Sequence, residues 1–188
     1  MKQRIPPAGS DRWSEPVREI LGRATPAAEH PEGLGPPNIL YTIAHHPTLL
    51  PAFLGFSSTL ALRGVLTRRD SELLALRTAH NCRSPFEWGH HVEYALAAGL
   101  DQADVDRIAA GPEGPGWSAR DRLLLRVCDE LHAAQQISDQ NFGTLQAEFD
   151  AAQIVELVFV VGQYTMLSMV ANATGVPLEA RLPELPRG

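Results

Sequence analysis

The chain has 188 residues, 44% of them hydrophobic and 20% charged, which excludes a disordered chain and suits one domain with an arm. Sixteen Lys and Arg against 22 Asp and Glu leave a formal net charge of −6 without a basic tract, so no nucleic-acid partner is expected. Lys2 is the only lysine, which leaves no interior amine for Schiff-base chemistry, and Cys82 and Cys128 are too few for a disulfide framework, a four-cysteine zinc site or a Cys-x-x-Cys motif.

The opening segment, MKQRIPPAGSDRW, has no apolar stretch and does not read as a secretory signal, so a cytoplasmic location is the expectation. Residues 1–37 are rich in proline and glycine and read as an arm, with a short helix expected from Glu15 to Arg23. A helical domain is expected over 38–180, followed by a tail at 181–188. Ile39–Ala44 and Leu49–Arg63 are apolar at helical spacing, with Gly64 as a break. Thr67-x-x-Asp70 and Ser84-Pro-x-Glu87 carry capping signatures, the second with proline at the favoured first position. Asp101-x-x-Asp104 after Gly99, Ser118-x-x-Asp121 after the PEGPG loop, and Ser138 open three further helices. A last helix is expected over Ala151–Ala173, ended by Gly175 and Pro177. Its interruption by Glu156, Gln163, Tyr164 and Asn172 favours a buried amphipathic helix over a membrane span. No strand pattern with turn signals occurs, so the fold class is an all-α bundle.

The residues that could carry chemistry cluster between Arg68 and Leu100. At about 100° per residue, Ser84, Glu87 and His91 share an arc of about 60° on one helix, bordering an apolar stripe of Trp88, Val92 and Ala95. On the preceding helix Glu72 shares a face with Leu76 and Ala79, where a buried carboxylate needs a partner. If the helices pack through these faces, Glu72 meets His91. A plain structural reading stands beside this one. Ser84 and Glu87 fit a capping box, Glu87 and His91 an i,i+4 pair, and Glu72 a carboxylate favoured near a helix start.

Metal binding is not expected. Glu87-x-x-His90 is half of a di-iron motif and lacks its second half, and the side chains of His45–His46 and His90–His91 diverge on a helix. Cys128 reads as a buried small hydrophobe. Cys82, just before a helix start, keeps a thiol alternative.

The pattern Glu72…Ser84-x-x-Glu87-Trp88-x-x-His91…Ala98-Gly99-Leu100, with NILYTIAHHPTLL before it and ELVFVVGQYTMLSMVANATGVPLE after it, resembles the carboxymuconolactone decarboxylase and alkylhydroperoxidase D (AhpD)-like superfamily. The resemblance implies an all-helical fold that self-associates and a site close to a subunit contact. In the peroxidase branch, a Glu, a Cys-x-x-Cys and a His form a relay. Carried over by position these fall on Glu72, on Ser84 and Glu87, and on His91, and a serine and a carboxylate cannot cycle through a disulfide. The expected machinery is therefore His91, Glu87, Glu72 and Ser84, with Trp88 and Cys82 as pocket residues and no cofactor. The expected ligand is a small carbonyl or carboxylate substrate in a decarboxylation, isomerisation or elimination. The alternatives are a catalytically silent oligomeric binding protein and a residual peroxidase. Neither a membrane nor a nucleic acid is expected as partner.

Overall fold

The computed structural model describes residues 2–21 and 36–186, and all regular structure among them is helical. A single 3-10 turn at Ser10–Arg12 precedes α1 (Glu15–Leu21), α2 (Asn38–Ile43), α3 (Leu49–Arg63), α4 (Arg68–Asn81) and α5 (Pro85–Ala97). They are followed by α6 (Gln102–Ala110), α7 (Ala119–Ala134), α8 (Asp139–Glu148) and α9 (Ala151–Thr174). The expected continuation of α1 to Arg23 lies outside the described residues.

The helix starts follow from local chemistry. Thr67, Ser84, Asp101, Ser118, Ser138 and Asp150 each accept a hydrogen bond from the backbone N–H three residues on, satisfying a donor that the helix itself leaves unpaired. The last helix stops at Gly175, whose φ of 71° is left-handed and costs glycine little.

Helix α4 is the central element. It buries Leu73, Leu74, Ala75, Leu76 and Ala79 and packs against α5, α7 and α9. Three arginine–carboxylate pairs tie it to α7: Arg69 to Asp121 (2.6 and 3.1 Å), Arg77 to Asp129 (2.7 and 2.9 Å), and Arg120 to Asp70 (2.8 Å). The first two are two-pronged and fix the rotation of α4 as well as its position. That rotation determines where Glu72 points.

Helix α9 is long and apolar enough to cross a membrane by length and composition. In this fold it lies against the core through Leu157, Val160, Val161, Tyr164, Leu167 and Ala171, while Val155, Val158, Phe159, Met166 and Met169 remain exposed. The described part of the N-terminal arm packs on its own chain. Arg4 and Ile5 donate to Thr174 O, Ala8 N donates to Tyr41 O, and Val17 and Leu21 are fully buried.

Candidate active site

Helices α4 and α5 bring two side chains from far-apart turns into one interior. Glu72, with no solvent exposure, places Oε2 2.6 Å from His91 Nδ1. Its other oxygen, Oε1, lies 2.6 Å from Arg68 Nη2, one helical turn earlier, as a close ion pair without the alignment of a hydrogen bond. An imidazole nitrogen that close to a carboxylate oxygen carries the proton. In the neutral ring Nδ1–H is then the donor and Nε2 keeps its lone pair.

Nε2 faces Glu87, whose Oε2 is 3.8 Å away, beyond direct hydrogen bonding but within reach of small adjustments or a bridging molecule. Glu87 is 3% exposed, and its Oε1 has no hydrogen-bond partner. Burial pushes the Glu87 carboxyl up from the ordinary range, against the opposing pull of His91 and His90, which favours the protonated form. The rings of Tyr164 and Tyr94 stand edge-on to His91, with centroids 4.3 and 5.4 Å away. Burial, reinforced by Glu72 and Glu87, raises the Tyr164 phenol, so it stays a neutral O–H.

Glu87, His90, His91, Arg68, Tyr94 and Tyr164 line a cavity of about 280 Å³, together with Ser57, Gln163 and apolar side chains of α2, α3, α5 and α9 such as Ile39, Phe53, Phe86 and Leu167. A small ring with a few substituents fits that volume.

Other expected residues lie elsewhere. Ser84 is fully buried and caps α5, accepting from Glu87 N at 3.4 Å, and is not among the lining residues. Trp88 is 2% exposed and packs its ring 6.0 Å from that of His80, away from the lining. Cys82 also falls outside the lining. Its sulfur lies 3.8 Å from His132 Nδ1 and 4.0 Å from Thr165 Oγ1, and burial raises its thiol, opposing the thiolate. Cys128 is fully buried, its thiol pushed up to about 12 by burial. A position on a helical wheel borders the apolar stripe on both sides. It does not tell which side opens on a cavity, and this is why the wheel alone misplaces Trp88.

Sequence reasoning missed Arg68, Tyr164 and the His90–Glu179 pair. His90 Nε2 is 2.8 Å from Glu179 Oε2, while Glu179 Oε1 accepts from Asn38 N at 2.8 Å, which fixes the cavity wall to the C-terminal segment. Arg68 was signalled by its i,i+4 spacing from Glu72 and Tyr164 by a polar interruption in an apolar helix. Glu179 carried no signal, being 89 residues from its partner. Among the described residues no group of three His, Cys, Asp or Glu is placed to hold a metal ion. His45 bonds Pro6 O, and His46 Nδ1 accepts from Leu49 N.

The all-helical bundle is a fold found in AhpD-like solved structures. A peroxidase-related protein with an AhpD core from Ralstonia eutropha JMP134 shares it at a TM-score of 0.80 and 18% identity, over 95% of this chain and 93% of that one. A peroxidase-related protein from Silicibacter sp. TM1040 shares it at 0.77 and 19%, over 96% and 95%. The debrominase Bmp8, as a cysteine-to-alanine variant in complex with 2,3,4-tribromopyrrole, shares it at 0.71 and 15%, over 96% and 94%. At these identities the likeness is one of fold. No curated protein matches the chain by sequence. Residues 47–130 match the profile of the carboxymuconolactone decarboxylase family.

Proposed function

We propose that the protein is a cofactor-independent acid–base enzyme acting next to the carbonyl of a small substrate. The observation that carries this reading is the His91 ring, held at Nδ1 by Glu72 and lining a partly open cavity with its other nitrogen on the Glu87 side. A base oriented by a third group, beside a carboxyl whose protonated form burial favours, is an acid–base pair with separated roles.

In the first step His91 Nε2 takes the proton from the carbon beside the carbonyl. The C–H electron pair becomes the enolate, and the Glu87 carboxyl donates a hydrogen bond or its proton to the developing oxyanion. Collapse of the enolate then takes a proton back at carbon, which is isomerisation, or expels a leaving group, which is elimination. In a β-keto acid the C–C bond breaks instead, carbon dioxide leaves, and the carbanion takes a proton from the acid. Glu72 and Arg68 are positioning residues, holding the ring and balancing the carboxylate. Ser84 positions Glu87 by capping its helix.

The fold of the relative Bmp8 accommodates a small five-membered ring, in keeping with a cavity of about 280 Å³ here. The exposed apolar stripe Val155, Val158, Phe159, Met166 and Met169 on α9 supports self-association of a cytoplasmic protein, because patches of this kind on soluble chains are commonly covered.

The test is proton exchange. With cyclohexanone in D2O, deuterium incorporation beside the carbonyl is expected to exceed a heat-treated control. It persists after alkylation of the thiols with iodoacetamide and drops by about 10²–10⁴ in His91→Gln. The rate falls as pH rises through the raised Glu87 value, because the acid form is lost there. Exchange no faster than the control, or turnover that vanishes on thiol alkylation, contradicts the reading.

A further inference from the structure

The α9 wall of the same cavity carries a polar group that the proposed chemistry does not use. Gln163 is 4% exposed, sits in an otherwise apolar helix and lines the cavity. Its Nε2 lies 3.4 Å from Ser57 Oγ on α3, which turns the amide, while its Oε1 is buried without a hydrogen-bond partner among the described residues. A buried carbonyl oxygen left unpaired is unfavourable, and in a residue of the cavity wall a turn of the amide toward the cavity would let a bound molecule complete the bonding.

Charge narrows what that molecule is. The guanidinium in the lining, Arg68, lies against Glu72, and His90 lies against Glu179. Glu87 adds a third acidic side chain within the same few helical turns. The positive groups that face the cavity are thus matched by carboxylates, with no surplus to receive an anion. The remaining lining is aromatic and aliphatic: Phe53, Phe86, Tyr94, Tyr164, Ile39 and Leu167.

We infer that the cavity selects a neutral ring compound bearing an O–H or N–H group, which donates a hydrogen bond to Gln163 Oε1. Gln163 is then a specificity-determining residue for the substrate, and of the two substrate types expected from the sequence, the neutral carbonyl compound is favoured over the carboxylate. This inference rests on the reading that the cavity is the active site, and it adds a second functional group to the substrate. The carbonyl lies toward Glu87 and His91, and a hydroxyl or ring N–H lies toward α9. A site built to bond such a donor rejects the analogue that lacks it, since the acceptor is then left unpaired.

The experiment compares phenol, anisole and benzoate as ligands of the full chain, by NMR titration that follows the Gln163 side-chain amide and the α9 backbone. Phenol is expected to shift the Gln163 amide and to bind about tenfold more tightly than anisole, which has the same ring without the donor, and than benzoate, which is charged. In Gln163→Leu, close in volume, the phenol preference over anisole is expected to collapse to about onefold. Benzoate or anisole binding as well as phenol, phenol binding without a shift at Gln163, or no binding of phenol at millimolar concentration overturns the inference. The comparison among ligands is made in the wild-type chain, so it stands even if Gln163→Leu does not fold. None of these outcomes bears on proton exchange at His91, so failure here and failure of the acid–base reading are distinguished.

Discussion

Replacing His91 with leucine is expected to destabilise the fold by about 3–5 kcal/mol, because it removes the hydrogen-bond donor of a buried carboxylate and leaves that charge poorly compensated. Glu72 has no solvent exposure, and without His91 the one cationic group left beside it among the described residues is Arg68 Nη2. Arg68 itself is 41% exposed, so its charge is shared with water. His91→Gln separates structure from chemistry. Its amide N–H can still reach Glu72, so its cost is that of a weakened hydrogen bond, about 1 kcal/mol. The glutamine has no basic nitrogen, so the proton-transfer activity is lost all the same. Urea denaturation of the three proteins checks the first point and exchange kinetics the second. Equal, small losses of stability in both variants would show that Glu72 does not depend on the imidazole.

The second large effect is expected at Gly89. A Cβ built there would sit 2.7 Å from Leu178 Cδ1, 2.9 Å from Pro183 O and 3.2 Å from Leu182 Cβ. The C-terminal segment therefore lies on α5 only because residue 89 has no side chain. Gly89→Val forces that segment outward, at a cost of about 1–3 kcal/mol for overpacking. Displacement of Leu178 and Leu182 also carries Glu179 away from His90 and Asn38. Burial alone would raise the Glu179 carboxyl, but the bonds from His90 and from Asn38 N outweigh it and hold the group below its ordinary range. A depressed carboxylate stabilises the fold fully above the unfolded value, about 4, and loses that contribution as pH falls through the folded value. The stability gap between wild type and Gly89→Val is therefore expected to be widest at neutral pH and to narrow in acid. Urea midpoints measured at pH 7 and pH 3 read this directly, and a gap that widens in acid would remove Glu179 from the account.

The parts of this structure that were legible in the sequence are those whose signals are local or periodic. Thr67, Ser84, Asp101, Ser118 and Ser138 mark helix starts because a short oxygen-bearing side chain competes for the unpaired N–H groups of the next turn. Glu72 and His91 could be matched because each lies on the apolar face of its helix, and two helices joined by a short turn pack through such faces. The illegible parts depend on distant sequence. Glu179 reaches His90 from the far end of the chain. Gln163 interrupted an apolar helix, which counted against a membrane span but did not show that its oxygen is unpaired. Tyr164 interrupted the same helix, and it is buried, yet its ring also stands beside His91 in the cavity wall. The described residues of the arm pack on their own chain, with Trp13 Nε1 donating to Ala8 O at 2.9 Å, contacts that no local signal in the sequence marks.

The central claim is that Glu72 fixes His91 so that Nε2 is the free base. Long-range 1H–15N correlation of the histidine rings measures this, with the His91 signals assigned by their absence in His91→Gln. The account requires neutral His91 to carry its proton on Nδ1, with Nε2 resonating as an unprotonated nitrogen, and requires that pattern to change in Glu72→Leu. A neutral His91 protonated on Nε2, or a ring pattern indifferent to Glu72→Leu, would contradict it.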